Sequence, residues 1–232
     1  SCNKDYSCVQ GFCPSFVTVD GAPLRKRVAS SIDERLFATL PAPPMMAMPA
    51  MGMGVMLAGI GGTGVITVSA VLAMAAHLQG WQASVYDMTG VAQKNGAVLS
   101  HLRMAEGTKP IATPAIGLGE AQLVLGFDMV AVLLDESFRT MGQGTKVLVN
   151  DRVQPTAAVI GNADAKVDTS LLARRIDGRV GVGHAWYVDA IGIATALCGD
   201  AIASNFFLVG VALQNGWMPL QLDAVQRAIE VN

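Results

Sequence analysis

The chain has 232 residues, 52% of them hydrophobic and 15% charged, enough to bury one sizeable core, so one main domain with an appendage is expected. With 16 basic and 18 acidic side chains the formal net charge is −2 and mixed in sign, which excludes the electrostatic footprint of nucleic-acid or anionic-membrane binding. Gly, Pro, His or Asp breaks the longest apolar stretches short of the roughly twenty residues that a bilayer crossing needs, so a soluble, cytoplasmic protein is expected. The sequence opens at Ser1 with no initiator Met and no signal-peptide pattern, and residues 222–232 keep helical spacing without a stop signal, so both ends are expected to be cut.

In chain order, cysteines come first. Cys2, Cys8 and Cys13 follow a C-x5-C-x4-C-P pattern ending on Pro14. Thiolates are soft donors that suit iron, and ferredoxin cluster runs end on a Cys followed by Pro. This spacing is looser than C-x2-C-x2-C-x3-C-P, so two other readings stay open. A zinc site wants a fourth ligand close by, and a disulfide wants a secretory context. Iron ligation by Cys2, Cys8 and Cys13 is placed first, the missing ligand then lying upstream of Ser1 or in a partner. Residues 16–19 read as a short strand ended by Asp20-Gly21, and residues 1–22 are taken as the tail of an iron–sulfur, ferredoxin-like segment. A charged, weakly periodic stretch then passes into Pro41-Ala42-Pro43-Pro44-Met45-Met46-Ala47-Met48-Pro49, where proline forbids a continued helix or ladder. Residues 23–50 are expected to be a linker, a mobile tether whose methionines are also able to pack on a neighbouring surface.

Residues 51–232 are expected to form the main domain. Residues 54–58 read as a strand, Val65 to Leu78 as an Ala-rich helix closed by Gly80, and 83–87 and 97–104 as further strands. Two more strands, 123–126 and 146–149, flank a helix over 129–140. Short strands alternating with helices predict an α/β fold, a three-layer, doubly wound and mostly parallel sheet covered on both faces. From Asp189 onward, 191–197, 201–213 and 222–231 read as successive helices packed against that sheet. Cys198 lies on this apolar stretch and is expected to be a buried small hydrophobe.

Gly59-Ile60-Gly61-Gly62-Thr63-Gly64 follows a strand and opens a helix, the setting in which G-x-G-x-x-G carries meaning. Glycines there permit a tight turn and let a phosphate approach backbone N–H groups at the positive end of the helix, with the Thr63 hydroxyl as a further donor. Asp87, at the end of the next strand about twenty residues on, is where a dinucleotide fold bonds the ribose, so an NAD(P)-dependent oxidoreductase is a rival reading. A third reading is that the glycines only allow close packing of strand on helix. A second loop, Met88 through Gln93, Lys94, Asn95 and Gly96, also follows a strand end and reaches the same edge of the sheet. Its side chains offer donors to a phosphate or carbonyl, which a dinucleotide site does not explain, the alternative being a solvated loop fixed by its glycines. On the strand that follows, alternation puts His101 and Arg103 on one face, and His101 reads as an ordinary covered residue.

The stretch from Gly59 to Val65, followed by Tyr86-Asp87-Met88-Thr89-Gly90-Val91-Ala92-Gln93-Lys94-Asn95-Gly96 and on to Arg103, resembles the gamma domain of 2-oxoacid:ferredoxin oxidoreductases. The opening from Ser1 to Phe16 resembles the segment before that domain in the long fused bacterial indolepyruvate ferredoxin oxidoreductases. The resemblance covers nearly the whole chain. It implies an oxidoreductase that acts on the oxo group of an aryl pyruvate, decarboxylates it on thiamine diphosphate with magnesium, and forms an acyl-coenzyme A. Electrons pass through 4Fe-4S clusters to ferredoxin. The thiamine-binding domains lie outside these residues, so the chain alone is expected to be inactive, a piece of a homo-oligomeric enzyme working with the other domains or subunits and with ferredoxin. Gly59, Gly61, Gly62, Thr63, Gly64, Gln93, Asn95 and Gly96 are the expected coenzyme A-facing residues. Under this reading Asp87 has no ribose role. A non-catalytic assembly module, suggested by the apolar helices after Asp189, remains the other alternative.

Overall fold

Met53–Ile60 carries no polar side chain and is buried along its whole length, so this strand, β1, belongs in the middle of a sheet covered on both faces. The computed structural model describes residues 20–21, 35, 39–90, 96–152 and 168–232. The other strands in it are β2 (Gln82–Thr89), β3 (Ala97–Ala105), β4 (Leu123–Gly126), β5 (Lys146–Asn150) and β6 (Ala185–Val188). They form one sheet in the order β2-β3-β1-β4-β5-β6. β1 pairs in parallel with β4, β4 with β5, and β5 with β6. β3 runs against both neighbours, Met53 lying opposite Met104 and Gln82 opposite Ala105.

The expected doubly wound, mostly parallel sheet is present, with one antiparallel strand wedged between β1 and β2. Connection length explains the wedge. Helix α1 (Val65–Leu78) is long enough to carry the chain over the sheet from β1 to a parallel β2, whereas the short link from Thr89 to Ala97 can only return it antiparallel. Helices α2 (Met129–Val132), α3 (Asp135–Phe138) and α4 (Thr169–Val180) follow, then α5 (Ala190–Cys198), a single tight turn at Ala201–Ala203, α6 (Ser204–Gln214) and α7 (Leu222–Val231). The two faces carry separate cores. Leu57, Leu125 and Leu148 pack with Val68 and Leu72 of α1, Leu208 of α6 and Val225 of α7. On the opposite face Met56, Val124 and Val147 pack with Val132, Met141 and with Ile176 and Val180 of α4.

Several elements differ from expectation. The helix predicted over 129–140 is two short helices, because the run from Met129 to Leu134 has no polar stripe and the chain turns at Leu134, whose φ of −61° and ψ of 144° are extended. Strand β6 and helix α4 were not expected. Cys198 is exposed rather than buried, since it is the last residue of α5, where Gly199 at φ 76° turns the chain away. Residues 39–50 lie against the domain: the Pro41 carbonyl accepts from Gln214 Nε2 at 2.9 Å, and Met48 packs on the α1-side core.

Candidate functional site

In a doubly wound sheet the crevice for a ligand opens at the carboxyl ends of the strands, where successive connections leave in opposite directions. Here that point is the end of β1, since the chain leaves β1 toward β2 and later enters β4 on its other side. The Gly59 to Gly64 turn lies at this end, and its glycines have different duties. A Cβ on Gly59 would stand 2.7 Å from Val65 Cγ2 and 3.1 Å from Phe127 Cβ, so Gly59 serves close packing. The Gly61 N–H donates to the Gly96 carbonyl at 2.7 Å, joining the turn to the start of β3. Gly62 and Gly64 have φ of 84° and 91°, the left-handed region that glycine tolerates, and nothing lies within 4 Å of a Cβ built on Gly62.

Thr63 Oγ1 lies 2.7 Å from the Ile60 carbonyl, to which it donates, so its proton holds the turn and its oxygen lone pairs remain. Gly64 caps α1 without any side-chain hydrogen bond. The first N–H groups of a helix have no partner inside it and carry the positive end of its dipole, so the start of α1 presents donors to whatever fills the space before it. That space is a recess along Gly62 to Thr67 and Val98. Beside it the turn lines a second recess, of about 170 Å³, with Ile60, Gly62 and Thr63, with Phe127 and Asp128 after β4, and with Ile191, Ile202 and Asn205. A third recess lies between α1 and α6. Asp128 is 2% exposed, and its Oδ1 accepts from the Val130 and Ala131 N–H groups at 2.9 and 3.0 Å, which holds the wall in place.

Of the residues predicted from sequence, Gly61, Gly62, Thr63, Gly64 and Gly96 come together here. Gln93, Lys94 and Asn95 lie outside the described residues, as do Cys2, Cys8 and Cys13. Among the described residues no group of three or more His, Cys, Asp and Glu side chains is arranged to hold a metal, and no helix is long and apolar enough to cross a membrane. Asp87 does not reach the turn. It lies on β2, and β3 intervenes between β2 and β1, putting Asp87 two strand spacings, about 10 Å, from β1 rather than one. Asn205 and Asp128 are the site residues that sequence reasoning missed. Asn205 Nδ2 donates to the Thr63 carbonyl at 2.8 Å, so α6 is pinned to the turn from 142 residues away. An Asn immediately before the apolar Phe206-to-Leu213 stretch was the available signal.

His101 and Arg103 do share a face, on the side away from α1. Arg103 Nη1 donates to the Ala115 carbonyl at 3.1 Å. His101 is 4% exposed, with Nδ1 accepting from the Ile116 N–H at 3.0 Å and Nε2 without a partner among the described residues. Burial, and to a lesser degree the Arg139 charge, hold its pKa below the ordinary value of 6.5. The unfolded chain therefore binds a proton that the native state resists, so this residue's contribution to stability is present above the unfolded value and is lost as pH falls toward the depressed one. The melting temperature is expected to drop as pH is lowered from 7 toward 5. In His101→Gln, which keeps an acceptor for Ile116, that limb should flatten; an unchanged slope in thermal melts would refute the assignment.

The sequence pattern of the family described as pyruvate ferredoxin/flavodoxin oxidoreductase matches residues 54–232. The indolepyruvate oxidoreductase subunit IorB of Archaeoglobus fulgidus is 26% identical over 182 residues, covering 77% of this chain and 85% of its own length. IorB of Thermococcus kodakarensis is 24% identical over 178 residues, with the same coverage of 77% and 85%. Among solved structures, the gamma subunit of the keto/oxoacid ferredoxin oxidoreductase from Geobacter sulfurreducens superposes with a TM-score of 0.51 at 18% identity, over 78% of this chain and 86% of that one. The 2-oxoglutarate:ferredoxin oxidoreductase from Magnetococcus marinus, solved with 2-oxoglutarate, coenzyme A and succinyl-CoA, gives a TM-score of 0.57 at 13% identity, over 78% of this chain and 27% of that longer one. With the family pattern running from β1 to the last residue, the chain belongs to the pyruvate ferredoxin/flavodoxin oxidoreductase family.

Proposed function

We propose that this chain supplies the gamma domain of an indolepyruvate-type ferredoxin oxidoreductase, and that its glycine-lined recess holds the diphosphate of coenzyme A. The observation that carries the reading is the uncapped start of α1 opening on the recess that Gly62, Gly64, Val65 and Thr67 line, the glycines giving close access to backbone N–H groups. The IorB relatives support the indolepyruvate assignment, and coenzyme A in the Magnetococcus marinus structure supports the ligand. In this reading the amides of the turn and of the first turn of α1 bind and orient the diphosphate. Phe127 and Ile191 shield it from water, and Gln93 and Asn95 are the further donors assigned to it from sequence.

Residues 1–22 then form the tail of an iron–sulfur segment, in which Cys2, Cys8 and Cys13 supply three thiolates to a 4Fe-4S cluster, and residues 23–50 link it to the domain of residues 51–232. Such a cluster would supply one-electron transfer toward ferredoxin. Thiamine diphosphate with magnesium would be held by other domains or subunits, where it would supply the electron sink for decarboxylation. The assembly works in the cytoplasm as a homo-oligomer.

The test is reconstitution. This chain, combined with the thiamine-binding and remaining iron–sulfur parts of the enzyme, is expected to support ferredoxin reduction that depends on both indolepyruvate and coenzyme A. Equal rates with the chain omitted would sink the proposal.

A further inference from the structure

The polar groups lining the recess beside the turn include a buried side-chain amide that a phosphate does not satisfy. Asn205, on the first turn of α6, is 5% exposed, and its Nδ2 donates to the Thr63 carbonyl at 2.8 Å. A carbonyl only accepts, so this bond fixes the orientation of the amide: the nitrogen faces the turn and Oδ1 faces away from it. Oδ1 has no hydrogen-bond partner among the described residues, yet it is not among the fully enclosed polar atoms left without one. The side chain stands in the wall shared by two recesses. One is the space beside Gly62 and Thr63 of the turn, and the other lies between α1 and α6, lined by Thr67, Val68, Ile202, Ala203 and Phe206.

The two halves of the site therefore ask for different chemistry. Backbone N–H groups at the turn and at the start of α1 want an acceptor, which phosphate supplies. Asn205 Oδ1 wants a donor, which an ionised phosphate lacks, and the space beyond it is mainly apolar. The matching ligand is a phosphate ester continuing into a chain that has apolar flanks and carries O–H or N–H groups. Coenzyme A has this form, since its pantetheine arm bears a hydroxyl beside two methyl groups and then two amide N–H groups.

We infer that Asn205 is the residue that reads the pantetheine arm, its Oδ1 accepting a hydrogen bond from a donor next to the diphosphate, so that the site prefers coenzyme A to a nucleotide diphosphate without the arm. This rests on the coenzyme A reading above. The test uses the complete oxidoreductase and calorimetric titration with two probes, coenzyme A and 3′-phosphoadenosine 5′-diphosphate, which is coenzyme A without pantetheine. Loss of the Thr63 bond in Asn205→Ala weakens both ligands through the turn, whereas loss of Oδ1 weakens coenzyme A alone. The ratio of the two affinities is therefore expected to fall about tenfold, the usual worth of one buried hydrogen bond. Asn205→Asp keeps an acceptor of the same shape but loses the donor to the Thr63 carbonyl and adds a charge that repels phosphate, so both affinities should fall with the ratio preserved. Melting curves establish that both variants are folded. A ratio unchanged in Asn205→Ala overturns the role of Asn205 and leaves the coenzyme A reading standing, while failure of the unsubstituted enzyme to bind coenzyme A overturns both.

Discussion

Replacing Gly62 by valine is expected to lower coenzyme A affinity about 100-fold in the complete oxidoreductase, with a much smaller loss of stability. Nothing lies within 4 Å of a Cβ at this position, so the new side chain does not collide with the protein. It projects instead into the recess, where it occupies the path by which a phosphate reaches the backbone N–H groups. Two such bonds to a charged group, at about 1.5 kcal/mol each, amount to about 3 kcal/mol, or two orders of magnitude in Kd. The stability cost comes from φ of 84°, which a branched L-residue adopts at a penalty of about 1–2 kcal/mol. Gly62→Ala bears most of that penalty with less obstruction, so the pair separates strain from blockage. Calorimetry with coenzyme A and a thermal melt on each variant give both quantities. Full affinity in the valine variant would show that the recess binds something else or nothing.

Leu57→Ala is expected to destabilise the fold by about 3 kcal/mol, measured as a lowered urea midpoint. Leu57 is fully buried at the centre of β1, in the core that joins Leu125 and Leu148 to α1 and α6. Removing its branched end costs the transfer free energy of the lost carbons and leaves a cavity that a strand paired on both sides cannot close, a combination worth about 2–5 kcal/mol. That is a large part of the roughly 5–15 kcal/mol that holds an ordinary domain together. A loss below 1 kcal/mol would mean that this core relaxes far more than its packing indicates.

What was legible in the sequence was what short-range pattern encodes. The unbroken run of β1, the tight glycine turn and the Ala-rich α1 are local statements, and the helix predicted over Val65 to Leu78 has those limits in the structure. The separate strands around residues 83–87 and 97–104 were also visible, and connection length alone could have shown that the second runs antiparallel. Helix α4 was missed although Leu172, Ile176 and Val180 keep helical spacing among the good helix formers Arg174, Arg175 and Arg179, the strongest contrary local signal being Gly178. Packing of Ile176 and Val180 in the core outweighs that glycine. Strand β6 has four residues, too few for alternation to register. At the site, the turn could be read because it is contiguous. Asp128 and Asn205 could not, because their roles depend on which strand lies beside β1 and on where α6 returns over the sheet.

The wedge strand β3 has one more consequence. It is paired over eight positions with β1 and over eight with β2, and its first neighbour Gly96 holds the Gly61 N–H. With both strands locked in register, residues between Thr89 and Ala97 can be exchanged, added or lost over generations without shifting the frame beneath them. Under the proposed coenzyme A reading, a change of ligand preference confined to that stretch would leave the phosphate-facing turn unaltered.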